Sequence, residues 1–370
     1  MDESAEFAIK ESLHTSARTR VYRAIRRSDS KPVILKTLHG VKVIPELLAR
    51  FRQEYEINAS LNSVAGVVEV YGFEASGTPT IIMEDVEGDS LNQTAKPPRD
   101  LSEFFNIAIA VTDALGQIHA RQIIHKDINP SNIIYNPQTG IVKIIDFGLS
   151  TILPRETVAQ VNINALEGTI AYLSPEQTGR INRPVDYRAD FYSLGVTFYE
   201  LLSGVRPFEE TEPLALIHSH LAKQPIPLKT KTPSIPAPLS DIIMILLAKN
   251  AGDRYQSAFG LKADLIECQR QWQASGVIQE FPLGQRDVSD RFQVSQILFG
   301  RDEEPKLLLS AFERVRHGSA EVVLISGEAG MGKTSVVNEL QIPIARQNGI
   351  FISGAYAHSL NPAPYSGLVD

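Results

Sequence analysis

A chain of 370 residues is longer than one hydrophobic core normally organises, so two or more domains are expected. With 43% hydrophobic and 21% charged residues, the composition is that of a packed globular protein and excludes extended disorder. A net charge of -7 supplies no basic excess, which argues against nucleic acid or anionic lipid as a partner.

The first hundred residues hold short β-rich runs at 20–25, 32–38, 66–71 and 80–84. Between them, over 45–61, Leu47, Leu48, Phe51, Tyr55, Asn58, Ala59 and Leu61 recur near helical spacing, which predicts one helix with a buried face. Beyond Asp100 the pattern turns helical. Leu101, Phe104, Phe105, Ala108, Val111, Leu115 and Ile118 form one apolar stripe; Phe191, Leu194, Phe198, Leu201 and Leu202 form another, stopped by Ser203-Gly204. From Ile278 to Ser295 the chain is rich in Gln, Asp and Arg and has no sustained period, so it reads as a linker. A buried strand is predicted over 321–326, opening a different α/β domain. The single cysteine, Cys268, excludes a disulfide within the chain and suits a reducing compartment. The acidic start Met1-Asp2-Glu3 is not a secretory signal, and no run reaches the roughly 18 apolar residues of a spanning helix. A cytoplasmic protein with no membrane segment is expected.

Two stretches carry chemistry in the middle of the chain. His125-Lys126-Asp127-Ile128-Asn129-Pro130-Ser131-Asn132 sets a carboxylate, Asp127, in a polar loop with an amide, Asn132, further along. Asp146-Phe147-Gly148 sets a second carboxylate at the end of the apolar run 141–145. Such groups orient a hydroxyl and hold magnesium, which is what phosphoryl transfer requires besides a cation on the α- and β-phosphates. A third stretch, Gly327-Glu328-Ala329-Gly330-Met331-Gly332-Lys333-Thr334, fits the phosphate-binding loop pattern between a predicted strand and a predicted helix. In that pattern the backbone amides from Gly327 to Gly332 cradle phosphate, Lys333 reaches the terminal phosphates and Thr334 holds magnesium.

Spread in this order over residues 8–270, the central motifs resemble the protein kinase family, and further runs match it. The resemblance implies an α+β, bilobal protein-kinase fold, with a β-rich N-lobe and an α-rich C-lobe. A linker over 271–295 and a truncated α/β P-loop NTPase domain over 296–370 would follow. It also implies ATP and Mg2+ as cofactors, Asp127 as the hydroxyl-orienting group, and Asn132 and Asp146 as metal ligands. Lys36, in Val33-Ile34-Leu35-Lys36, resembles the phosphate-binding lysine of the third strand. Glu54 and Glu56 compete to be its partner, and the Phe-Arg-x-Glu run of bacterial Ser/Thr kinases favours Glu54.

Met83-Glu84-Asp85-Val86 resembles the hinge, where backbone groups of Glu84 and Val86 would meet the adenine edge. Ser174-Pro175-Glu176 resembles the close of the activation segment, with Arg254 as the ion-pair partner of Glu176. Asp190 looks like the aspartate that holds the catalytic loop by backbone hydrogen bonds. The segment Gly168 to Glu176 resembles that of Ser/Thr kinases.

Two departures stand out. The glycine-rich lid falls at 14–22, with His14, Ser16 and Thr19 where glycines are expected, so the lid should sit further from phosphate or bind through Ser16, Thr19 and Arg18. Asn129 stands where a lysine contacts the transferred phosphate, which removes a charge from the transition state. These departures motivate an alternative, a pseudokinase-like ATP-binding regulatory module coupled to an AAA-type ATPase. With Phe299-Gly300-Arg301-Asp302-Glu303 and the phosphate-binding loop, nearly the whole chain resembles the N-terminal part of large bacterial multidomain signalling kinases, in which a Ser/Thr kinase-like domain is followed by an AAA-type ATPase. That implies as partners a protein substrate bearing Ser or Thr and further C-terminal domains of a longer polypeptide.

Overall fold

The computed structural model describes residues 6–16, 18–39, 45–75, 77–93, 100–152, 169–180, 184–288, 303–328, 331–338, 340 and 343–344. Its first part is a five-stranded antiparallel sheet in the order β1-β2-β3-β5-β4. The strands are β1 (Phe7–Thr15), β2 (Thr19–Arg26), β3 (Pro32–Leu38), β4 (Val70–Glu74) and β5 (Thr80–Glu84), with helix α1 (Pro45–Ser60) between β3 and β4. Side-chain alternation along β3 divides the sheet's work. Val33 and Leu35 face one cluster with Phe7, Ala24 and Ile82, whereas Leu38 faces another with Phe51 of α1, Val70 and Ile81. Lys36 therefore projects from the face that carries α1.

Strand β1 is an edge strand whose side chains are mostly exposed, so its sequence lacks the alternation that marks a half-buried strand. The strand expected over 66–71 starts later, at Val70. Gly66 to Val68 instead reach across to the second lobe: Ile144 N–H donates to Gly66 O at 2.8 Å and Val68 N–H to Ile144 O at 3.1 Å. A Cβ on Gly66 would lie 2.5 Å from the Ala114 Cβ, so only glycine fits this approach.

The second lobe is helical. Helix α2 (Leu101–Ala120) is capped by Asp100, whose carboxylate accepts from Ser102 N–H, and it buries the predicted stripe together with Ile107 and Ala114. Around it lie α3 (Arg188–Ser203), α4 (Pro213–Ala222), α5 (Leu228–Lys231), α6 (Ala237–Leu246) and α7 (Ala258–Ser275). Helix α3 is buried along nearly its whole length and ends at Gly204 in the left-handed conformation. Short strands face the first lobe: β6 (Asp89–Ser90), β8 (Ile133–Tyr135) and β9 (Val142–Ile144) form one sheet, and β7 (Ile123–Ile124) pairs with β10 (Thr151–Ile152). The octapeptide is suspended between β7 and β8, and Asp146 follows β9. Cys268 is buried in α7, and burial pushes its thiol up to about 12, so it is a packed group.

Two expectations for the C-terminal part change. Helix α7 runs to Ser275, and residues 276–288 beyond it fold back rather than behaving as a linker. Ile278 joins the main core, Gly284 N–H donates to Asp264 Oδ2 at 2.8 Å, and the Asp287 carboxylate accepts from the N–H groups of Gln256 and Ser257. The predicted strand over 321–326 is not formed, since Val322 and Leu324 are 97% and 90% exposed. A strand needs neighbours for its backbone groups, and none pairs with this segment among the described residues. Helices α8 (Glu303–Arg316) and α9 (Lys333–Asn338) flank it in sequence.

Candidate active site

Lys36 Nζ donates to Glu54 Oε1 at 2.6 Å and lies 3.0 Å from Asp146 Oδ1. Both Lys36 and Glu54 are buried. Glu56, the competing residue, pairs with Arg52 on the exposed side of α1, since two helical positions apart means different faces. Burial acts to lower the Lys36 pKa, but the charges of Asp146 and Glu54 outweigh it and leave it raised. Burial pushes the Glu54 carboxyl up, and Asp146 adds to that rise against the pull of Lys36. For Asp146 burial also acts upward, but Lys36 overrides it and holds the carboxyl below the ordinary range.

Asp146 has φ of +65°, a conformation that disfavours a side chain other than glycine. Its Oδ1 accepts from Gly148 N–H at 3.1 Å, which stabilises the turn locally. Phe147 is buried against His125, ring centroids 4.8 Å apart and edge to face. The His125 tautomer follows from its partners: Nε2 donates to Ile145 O at 3.1 Å, so Nδ1 accepts from Asp127 N–H at 3.3 Å.

Asp127 is enclosed by two amides. Asn129 Nδ2 donates to its Oδ1 at 2.8 Å, and Asn132 Nδ2 donates to its Oδ2 at 2.9 Å. Burial raises the Asp127 pKa; His125 and the two amides oppose the rise, and Asp146 adds to it. With its nitrogen committed to Asp127, Asn132 can offer its oxygen to a cation. Asp146 and Asn132 thus supply the oxygen donors that suit Mg2+.

Asn129 does not face outward as a replacement for a phosphate-contacting lysine. Its oxygen accepts from Ser131 N–H at 2.9 Å and caps the short turn Pro130–Asn132, while its nitrogen holds Asp127. Asp190, at the start of α3, accepts from Lys126 N–H at 2.7 Å, His125 N–H at 2.9 Å and the His119 ring at 2.8 Å. This buried carboxylate thus anchors the backbone at the start of the octapeptide.

The lid differs from its sequence reading. Ser16 and Thr19 close the β1-β2 hairpin, hydroxyl to hydroxyl at 3.0 Å, and Ser16 Oγ accepts from Thr19 N–H at 2.9 Å and Arg18 N–H at 3.2 Å. The hydroxyls expected for phosphate are engaged in the turn itself, because a serine oxygen can satisfy nearby amides more cheaply than a distant ligand can. At the hinge, Glu84 N–H donates to Glu69 O at 2.8 Å and Val86 O accepts from Asn136 Nδ2 at 3.2 Å. Lys143, not singled out from sequence, binds the Glu84 carboxylate at 2.7 Å and ties β9 to the end of β5. Its place three residues before Asp146, facing a hinge glutamate, was the available signal.

Glu176 and Arg254 form a buried bidentate pair at 2.6 and 2.9 Å. Gln177, also missed, donates to Lys126 O at 2.9 Å and links the same turn to the catalytic loop. Thr169 opens a short helical turn through Tyr172, while Gly168 lies outside the described residues.

In the C-terminal loop Lys333 Nζ donates to Gly327 O and Glu328 O, both at 2.8 Å, so the lysine is folded onto its own loop. Gly332 has φ of +81°, the conformation a glycine provides where the loop turns into α9. Gly330 and the side chain of Thr334 lie outside the described part.

The family model of the protein kinase domain matches residues 7–265. The chain belongs to the protein kinase family. The AAA ATPase domain model matches residues 297–370. Over 383 residues the kinase chain is 30% identical to the hybrid signal transduction histidine kinase G of Dictyostelium discoideum, covering 80% of this chain and 11% of that protein. It is 34% identical over 229 residues to the serine/threonine-protein kinase PknB of Mycobacterium tuberculosis, covering 60% of this chain and 36% of that protein. A protein of Corynebacterium glutamicum described as "Probable serine/threonine-protein kinase PknB" is 35% identical over 231 residues, with 60% and 35% covered. The chain therefore spans about a third or less of the length of these relatives. The architecture is α+β, with a sheet-rich N-terminal region and a helical C-terminal region in the kinase domain. No helix among the described residues is long and apolar enough to cross a membrane.

Proposed function

We propose that this chain is a Ser/Thr protein kinase domain that transfers the γ-phosphate of ATP to a protein hydroxyl, within a longer signalling polypeptide. The observation that carries the reading is Lys36, which meets Glu54 at 2.6 Å and Asp146 at 3.0 Å at once. A cation that reaches phosphate and a carboxylate that holds metal then stand at one site, with Asp127 presented nearby by two amides. Relatives named as serine/threonine-protein kinases support the choice of acceptor.

In this reading the backbone of Glu84 and Val86 meets the adenine edge, and Lys36 binds the α- and β-phosphates. Asp146 and Asn132 hold Mg2+, which when bound neutralises charge on the phosphates. Asp127 accepts a hydrogen bond from the acceptor hydroxyl and aligns its oxygen with the phosphorus. Asn129 keeps the Asp127 carboxylate turned to that task and adds no positive charge to the transferred group. The segment 296–370 would bind a nucleotide of its own, with Gly327 to Gly332 around the phosphates, Lys333 on their termini and Thr334 on magnesium.

Incubating the purified chain with γ-labelled ATP, Mg2+ and a generic Ser/Thr acceptor tests the reading. Label should enter acceptor or chain, and Asp127→Ala should lose transfer while binding ATP like the parent. ATP-induced thermal stabilisation without transfer above the Asp127→Ala level would refute it and leave a nucleotide-binding regulatory module.

A further inference from the structure

The lid lacks the three expected glycines, and its Ser16 and Thr19 hydroxyls are turned on each other. Something else must set the height of the β1-β2 hairpin over the cleft. Strand register identifies a candidate. Val21 pairs with Lys36, and Arg23 pairs with Ile34, which itself pairs with Met83. Since side chains alternate along a strand, Arg23 projects from the same sheet face as Lys36.

Its guanidinium leaves the lid and reaches the hinge. Nε donates to Asp85 Oδ2 at 2.8 Å, and Nη1 donates to Glu11 Oε2 at 3.2 Å on the neighbouring strand β1. Glu11 stands directly opposite Arg23 in the β1-β2 register. The Asp85 side chain is only 2% exposed, and its second oxygen accepts from Glu87 N–H at 3.0 Å, so the acceptor is fixed within the hinge. One planar fork thus joins both lid strands to the segment that leads from β5 into the second lobe. A lysine could not reproduce two divergent bonds of this kind.

We propose that Arg23 and Asp85 form a clamp that positions the lid over ATP in place of its missing glycines. The proposal rests on the kinase reading given above. A glycine lid approaches phosphate by bending its backbone, whereas this hairpin has its turn hydroxyls bonded to each other and is tied to the hinge at its base. Breaking the clamp frees the flap from the hinge without touching Lys36, Asp127, Asn132 or Asp146. Nucleotide affinity should fall, and the rate of transfer from bound ATP should stay the same.

The full chain carrying Lys333→Ala, which silences the nucleotide site proposed for 296–370, is the parent; it and its Arg23→Ala, Arg23→Lys, Asp85→Asn and Arg23→Ala/Asp85→Asn variants are titrated with a fluorescent N-methylanthraniloyl ATP and Mg2+, and KM for ATP and kcat are measured. Asp85→Asn keeps the oxygen that accepts from Glu87 and presents an amide to Arg23, so it tests the clamp without emptying the hinge. Each single variant should weaken nucleotide binding, about tenfold for Arg23→Ala and Asp85→Asn, with kcat held, and the double variant should be no weaker than either single. Affinities within about twofold of the parent, or a double variant that loses the product of both singles, would overturn the clamp. A fall in melting temperature with nucleotide affinity intact would also overturn it, since it would mark a purely structural pair. Tight nucleotide binding without transfer would refute the kinase reading alone, because the titration still tests the clamp. No nucleotide binding by the parent would sink both.

Discussion

Asn129 binds both ways: its nitrogen donates to Asp127 Oδ1 at 2.8 Å and its oxygen accepts from Ser131 N–H at 2.9 Å. The residue steadies the loop that carries Asp127, and on the proposed reading it brings no charge to the transferred phosphate. Asn129→Lys should restore that charge and raise kcat by about tenfold, since transition-state electrostatics commonly contribute that much or more. The same substitution removes the cap on the 130–132 turn and should cost about 1 kcal/mol of stability. Steady-state phosphotransfer with thermal unfolding on the same preparations checks both signs.

On the proposed reading, the acid limb of the pH–rate profile should report Asp127. Its folded pKa is raised above the ordinary value of 3.8, first by burial, so its ionised form is lost at a higher pH than for an exposed aspartate. Activity should therefore fall on acidification while the pH is still above 3.8. In Asn129→Ala a hydrogen bond that favours the carboxylate disappears, and the limb should move to still higher pH. A profile of kcat/KM against pH for the two proteins decides it; a limb that stays put or moves down would contradict the assignment.

How far the sequence discloses the fold depends on whether a segment's neighbours are close along the chain. Strands β3 and β5 lie where their β-rich runs predict them, and the α2 stripe is buried as its period requires, because each side chain's environment follows from spacing alone. Edge strand β1 escaped, since an exposed strand has no need to alternate. The folding back of 276–288 was invisible because its anchors, Asp264, Gln256 and Ser257, become partners only through tertiary contact. At the site, residue types could be read but not their directions. Asn129 turns to Asp127 and Ser16 to Thr19 over short spans, but Ser, Thr and Asn side chains have several nearby backbone and side-chain partners to choose from, so spacing does not pick the one taken.

Arg254 and Glu176 join the end of the activation segment to the loop before α7 through a buried bidentate pair. Arg254 also donates to the Arg188 carbonyl at 2.9 Å and the Ala248 carbonyl at 2.9 Å. Arg254→Ala leaves Glu176 buried and unpaired along with these acceptors, and should destabilise the domain by roughly 3–5 kcal/mol. Glu176→Gln keeps hydrogen bonding to the guanidinium and should cost clearly less. Urea unfolding of both variants measures the difference, and equal losses would contradict this by showing that charge, and not hydrogen bonding, is what Glu176 provides.

Asp190 anchors the backbone of His125 and Lys126. Its carboxylate accepts two backbone N–H groups, from His125 and Lys126, and the His119 ring, with no part of it exposed. Asp190→Ala strands two buried amides and should cost roughly 2–5 kcal/mol, while the residues that surround phosphate remain in the chain. Burial alone would raise the Asp190 pKa, but His119 and the backbone donors reverse the sign and hold it below the ordinary 3.8. A depressed folded pKa means that the unfolded chain binds the proton first. The stabilisation is therefore complete above 3.8 and is lost as the pH falls through the lower folded value. Asp190→Asn should lose part of that acid dependence and some stability at neutral pH, because one of its two side-chain atoms can no longer accept. Unfolding free energies measured for parent and variant from neutral to acid pH should converge at the acid end, and parallel curves would remove Asp190 from the account of acid stability.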